Sequence, residues 1–141
     1  MSALRSFRIL AAVLAMTGLA APDAQAQLTR TDWKVQGDPD ITLAVRHIKP
    51  PAATGVPLVL LHGARVPGSA SFDLPVAGGS LAADLAMAGH DVYVMDARGY
   101  GGSTRPPEMS RPPATGSILG RSPEVVSDIG AVVNWITTQR G

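Results

Sequence analysis

Cysteine is absent from the 141 residues. Its absence excludes a disulfide framework and any thiolate metal site. Histidine is sparse: His47, His62 and His90 stand alone. With no i, i+4 pair and no H-E-x-x-H, no metal is expected. The glycines form neither G-x-G-x-x-G nor G-K-[ST], so no phosphate cradle and no cofactor is expected. Charged residues are few, 16%, with a formal net charge of +1. The basic side chains are scattered, without a cluster or aromatic interleaving. A nucleic-acid partner therefore has no electrostatic footprint. Glycine and proline, by contrast, are plentiful, at 15 and 12 residues, and imply many turns. At 45% hydrophobic, the chain has the composition of one small globular domain.

The N-terminus carries a different signal. Arg5 and Arg8 form a short basic region, Ile9 to Ala21 is an apolar run of 13 residues, and Ala24-Gln25-Ala26 places small residues around a cleavable bond. This is the order of a secretory signal peptide. The run is shorter than the roughly 20 residues of a membrane span. The expectation is a signal peptide at 1–26, a domain at 27–141, and a periplasmic or secreted product with no membrane attachment after cleavage. Cleavage removes Arg5, Arg8 and Asp23 from twelve basic and eleven acidic side chains, leaving ten of each.

Residues 27–32 read as a solvated leader, and Trp33 to Val35 as a short apolar patch. Gly37-Asp38-Pro39-Asp40 is a turn signal. Ile41, Leu43 and Val45 alternate, with Ile48 out of phase, which predicts a strand pairing back across the turn as a hairpin. Pro57 to Leu61 is a continuous apolar run, suited to a strand covered on both faces. Residues 64–79 read as a loop. Ser80 to Met87 reads as a helix with Ser80 as N-cap, Leu81, Leu85 and Ala88 on one face, and Gly89 as its stop. Asp91 to Met95 is a second buried strand, completing a βαβ unit. Asp96 to Gly120, with four prolines and five glycines, is a long irregular segment. A connection of that length in a compact domain is expected to be functional or mobile. A final helix starts with Ser122 as N-cap, Pro123 at the first turn and Glu124 near the positive dipole end. Its apolar stripe is Val125, Val126, Ile129, Val132, Val133 and Ile136, and Gly141 closes it. The fold class is α/β.

Two motifs stand at the ends of the buried strands. One is Leu58-Val59-Leu60-Leu61-His62-Gly63-Ala64. The other is Val92-Tyr93-Val94-Met95-Asp96-Ala97-Arg98-Gly99-Tyr100-Gly101-Gly102-Ser103. Read alone, Asp96 and Arg98 order the glycine-rich loop through charge-assisted hydrogen bonds. In this order, followed by the capped helix, the motifs resemble the N-terminal half of the α/β-hydrolase family over residues 33–141. The resemblance implies a partial α/β-hydrolase fold: an N-terminal antiparallel hairpin, a βαβ unit and a further helix. It implies that the backbone N–H of Ala64 is an oxyanion donor. It makes His62, Gly63, Asp96, Arg98, Gly99, Gly101 and Ser103 structural members of their motifs, His62 being no catalytic base. The substrate implied for the complete protein is a small ester-like molecule, attacked by serine.

The chain departs from that family in one respect. No serine lies in G-x-S-x-G; Ser80, Ser103 and Ser122 have the wrong neighbours. The nucleophile, the acid and the base all belong downstream of Gly141 in the family's order, so the chain is expected to be inactive alone. The HGGG and HGGPG forms are absent as well, which disfavours the subfamilies that use them. Lacking the central strand, the strands at 57–62 and 91–95 are expected to expose edges and the domain to be marginally stable. The alternative reading is a non-catalytic exported α/β module that binds a partner through such an edge.

Overall fold

The computed structural model describes residues 28–112, 114–115 and 120–140. Residues 1–26, expected to be a signal peptide, lie outside them, as does Gly141. The order of elements is β1 (Thr29–Gln36), β2 (Thr42–Lys49), β3 (Leu58–Leu61), α1 (Gly68–Phe72), α2 (Leu81–Met87), β4 (Val92–Met95) and α3 (Ser122–Arg140). A 3-10 turn, Pro107–Ser110, interrupts the long segment before α3. The strands form one sheet in the order β1-β2-β4-β3. β1 pairs antiparallel with β2, β2 antiparallel with β4, and β3 parallel with β4.

The hairpin forms at the turn the sequence marks. Gly37 N–H donates to Ile41 O at 2.9 Å, Ile41 N–H donates to Asp38 O at 3.0 Å, and Asp40 takes φ 65°. Aspartate tolerates that left-handed region better than most residues. β1 starts earlier than expected, at Thr29, so residues 29–32 are strand and not leader. Its residues are exposed except Val35, so hydrophobicity gives no sign of the strand there. Pairing with β2 makes it one.

The phase change in β2 has a physical cause. Ile41, Leu43 and Val45 join a core with Tyr93, Met95, Val132 and Ile136 on the α3 side. Ile48 points to the opposite face and packs with Ala82, Ala86, Val92 and Val94. β4 feeds both cores, alternating Val92 and Val94 with Tyr93 and Met95, and all four residues are buried. A two-faced central strand accounts for its unbroken apolar run. β3 is half-buried throughout. It lies at the edge, and β4 does not: β2 takes one side of β4 and β3 the other. The expected exposed edge at 91–95 is therefore corrected, because the hairpin covers it.

The helices bring further corrections. α1 falls in the segment expected to be loop; five residues carry no helical periodicity. In α2, Ser80 is the N-cap, its Oγ accepting from Ala83 N–H at 2.9 Å, and Gly89 takes φ 97° at the exit. The buried face is Ala82, Ala83 and Ala86, while Leu81 is exposed. Small side chains let the helix sit close on Ile48, Val92 and Val94; of the expected face only Leu85 packs against that core, and Ala88, like Leu81, is exposed. In α3 the cap is Arg121 rather than Ser122. Arg121 O accepts from Val125 N–H at 3.1 Å, and Arg121 N–H donates to Glu124 Oε2 at 3.0 Å, half of a capping box. Val126 and Val133 leave the predicted stripe for solvent, and Asp128 takes a fully buried place in it. Among the described residues no helix is long and apolar enough to cross a membrane.

Candidate active site

β3 and β4 run parallel and end side by side, and the two motifs leave from those ends. The first begins with His62, which is buried. Its Nε2 accepts from Ala97 N–H at 3.1 Å, and its Nδ1 faces Gly63 O at 2.7 Å. A ring nitrogen facing a donor must accept, and the other, facing a carbonyl, must donate, so hydrogen bonding assigns the neutral Nδ1–H tautomer. Both ring nitrogens are thereby engaged by backbone.

That bond has a consequence one atom group away. Gly63 O and Ala64 N–H belong to the same planar trans peptide unit, in which carbonyl and N–H point in opposite directions. Fixing Gly63 O against His62 therefore aims Ala64 N–H away from the ring. Ala64 is exposed, and no hydrogen bond among the described residues uses its N–H. The next residue, Arg65, holds φ 86°, a conformation unusual for a side chain of its size. Its N–H donates to Tyr100 Oη at 3.3 Å, and the Tyr100 ring leans on His62 at 4.7 Å between centroids.

The second motif supports the first. Asp96 is buried, and its two carboxylate oxygens accept from Gly68 N–H at 2.7 Å and Gly102 N–H at 2.9 Å. Gly101 takes φ 49°, and a Cβ there would collide with the Asp96 carboxylate. Ser103 Oγ donates to Asp96 O at 2.6 Å and accepts from Ala44 N–H at 2.8 Å, tying the loop to β2. Gly99, at φ 86°, lies against Met109 of the 3-10 turn. Asp96 thus orders the glycine-rich loop from within, through backbone N–H groups of its neighbours, whereas Arg98 anchors the same loop from outside.

Arg98 turns instead toward α3. Its Nε and Nη2 donate to Asp128 Oδ1 at 3.0 and 2.6 Å, and its backbone N–H donates to Asp128 Oδ2 at 3.0 Å. Nη2 also reaches Asp38 Oδ2 in the hairpin turn at 2.6 Å, and Ser127 Oγ donates to Asp38 Oδ1 at 2.7 Å. The Asp128 hydrogen bonds lead in holding the Arg98 guanidinium above its usual pKa, with burial opposing them. The Arg98 hydrogen bond, followed by that of Ser127, holds Asp38 below the usual carboxylate range. Asp128 was missed in the sequence. The available signal was a carboxylate three residues after Val125 and four before Val132, a polar residue on an apolar face.

Between the two motifs lies a cleft of about 320 Å³, with His62, Ala64, Tyr100, Met109 and Val125 in its wall. Chemically it offers a backbone donor and apolar walls. Among the described residues it holds no serine, histidine and carboxylate converging as a triad: Ser103 is buried in loop bonds, and His62 is saturated. Nor do the described residues contain a cluster of three side chains able to hold a metal ion.

Neither a family model nor a curated protein sequence matches the chain. Solved structures do. Two crystal forms of the Pyrococcus furiosus esterase Pf2001 align with TM-scores of 0.55, at 20% and 19% identity, over 86% and 87% of this chain. A hypothetical protein of Pseudomonas aeruginosa, PA2218, aligns with a TM-score of 0.55 and 20% identity over 82% of it. The chain spans 41%, 39% and 32% of those three structures. Identity this low speaks for the fold alone, and the fold is an α/β-hydrolase-like one, of which this chain forms a part.

Proposed function

We propose that residues 27–141 are the N-terminal part of an exported α/β-hydrolase, directed to the periplasm or secreted by a signal peptide at 1–26. In the complete protein they would supply the Ala64 N–H as one donor of the oxyanion hole. The substrate class would be a small ester-like molecule, with no cofactor. The reading rests on one observation above others: His62 pins Gly63 O and so turns Ala64 N–H away from the ring, on a turn that lines the cleft. A tetrahedral intermediate places negative charge on oxygen, and a fixed backbone dipole stabilises that charge without reorganising. Attack on the acyl carbon requires a nucleophile and base that the described residues do not bring together, so the chain by itself would not turn over. His62, Gly63, Asp96, Arg98, Gly99, Gly101 and Ser103 would act by shaping the two loops.

The reading frame downstream of codon 141 is the first test. A continuation encoding G-x-S-x-G on a strand-to-helix turn supports a serine hydrolase, and a continuation without such a turn counts against it. The second reading, a binding module without chemistry, draws on the outer edge of β3, which no strand among the described residues pairs. An added strand could pair there. It gains ground if the complete reading frame binds but does not cleave short-chain esters.

A further inference from the structure

We propose that Tyr100 is a positioning residue for the oxyanion turn, acting through the backbone of Arg65. The proposal rests on the reading of Ala64 N–H as the donor. Its starting point is an energetic conflict in the turn. Arg65 holds φ 86°, where a side chain with a Cβ is disfavoured. Such a conformation persists only when its surroundings over-determine it. Residues on both sides of Arg65 are accounted for: His62 grips Gly63 O before it, and Gly68 N–H is held by Asp96 after it. At Arg65 itself the hold is the Tyr100 hydroxyl, which accepts the Arg65 N–H at 3.3 Å.

The geometry makes this more than a local contact. Ala64 lies between two peptide units. The first contains its N–H and is fixed by His62 through Gly63 O. The second contains the Arg65 N–H and is fixed by Tyr100. Rotation about the bonds of Ala64 swings one unit against the other, so both must be held for its N–H to keep one direction. Tyr100 touches both clamps, since its ring also leans on His62 at 4.7 Å. It comes from the loop after β4, so the β4 motif sets the direction of a donor carried by the β3 motif. A donor displaced by a fraction of an ångström loses much of its worth in the transition state while leaving ground-state binding nearly intact.

The discriminating variant is Tyr100→Phe, which keeps the ring on His62 and removes only the hydroxyl. In the 141-residue chain, amide exchange read by NMR is expected to show Arg65 exchanging at least about fivefold faster, with Val92 to Met95 unchanged. Unchanged exchange at Arg65 overturns the proposal. In the complete reading frame that carries this chain, kcat for a short-chain p-nitrophenyl ester is expected to fall about tenfold, with KM and Tm held. A parallel rise in KM, or no change in kcat, overturns it as well. Arg65→Gly supplies the coupling test, because glycine adopts φ 86° without strain. In that background Tyr100→Phe is expected to cost less than about twofold in kcat. A full tenfold loss there means the hydroxyl acts elsewhere, and the proposal falls. If the unsubstituted frame cleaves no ester, the functional reading fails and the positioning role fails with it. The exchange measurement still reports separately whether the hydroxyl holds the turn.

Discussion

Asp128 meets Arg98 across the junction of three elements: its Oδ1 lies 2.6 Å from Arg98 Nη2, and its Oδ2 accepts the Arg98 backbone N–H at 3.0 Å. Asp128 is fully buried in the middle of an apolar helix face. Two charges leave water at a cost that only close, multiple hydrogen bonds offset. Here they do so in a bidentate arrangement with a third partner, Asp38, from the hairpin turn. The pair therefore fixes where α3 lies relative to the loop after β4 and to the β1–β2 turn. Of these, α3 and the loop after β4 line the cleft, through Val125 and through Ala97 and Tyr100, so packing in the core and shape at the site are linked through one guanidinium.

Removing one partner of that pair is expected to be severe. Asp128→Ala leaves Arg98 without its main carboxylate and should destabilise the domain by about 3–5 kcal/mol, measured by urea unfolding. Replacing both, as Arg98→Met with Asp128→Leu, removes both desolvation costs together and should recover more than half of that loss. A double variant as unstable as the sum of the singles would show that the ion pair is not the coupling element.

Acid should weaken the fold in a defined window. Asp38 and Asp73 both titrate below the ordinary carboxylate value of 3.8 in the folded chain. At Asp73 burial acts upward, but hydrogen bonds from Arg30 and Ser80 and the charges of Arg30 and Arg46 outweigh it. A depressed folded pKa contributes stability that is present above the unfolded value and is lost as pH falls through the folded one. Unfolding free energy should therefore hold from neutral pH to about 4 and decline below it. Asp73→Asn should flatten that decline. A pH profile unaffected by the substitution would dissociate Asp73 from it.

Glycine replacement separates loop geometry from helix propensity. Gly101→Ala puts a Cβ into the Asp96 carboxylate at φ 49°, so it should destabilise, by about 2 kcal/mol or more. Gly130, on α3, has no atom within 4 Å of an added Cβ. Gly130→Ala should stabilise by about 0.5–1 kcal/mol through helix propensity. Equal effects at the two positions, read from thermal unfolding, would mean that the Asp96 cradle does not constrain the loop.

The sheet was legible in the sequence where burial was two-sided or alternating. The unbroken run Val92 to Met95 and the phase slip at Ile48 both follow from two cores on opposite faces of one sheet. The start of β1 was not legible, because Thr29 to Lys34 are exposed and hydrogen bonding alone makes them strand. The α2 face was misread for a related reason. Alanines carry little hydrophobic signal, yet their size sets the distance to the sheet. At the site, His62, Ala64 and Asp96 could be marked from their motifs. Asp128 and the Arg65–Tyr100 bond could not, since both depend on contacts 30 and 35 residues apart in sequence.

The edge of β3 bears on how the chain should behave in solution. Leu58–Leu61 is half-buried, and no strand among the described residues pairs with its outer side. Such an edge templates association. Residues 27–141 should accordingly show concentration-dependent light scattering and a thermal midpoint that changes with protein concentration. A sharp two-state transition from a monomer would contradict this.

The most direct test of a donor without a nucleophile is steady-state hydrolysis of p-nitrophenyl acetate by purified residues 27–141. Release at the spontaneous rate, unchanged by Ser103→Ala or Ser80→Ala, is the expected result. Saturable turnover that either substitution abolishes would contradict the account, because an attacking group would then lie within these residues.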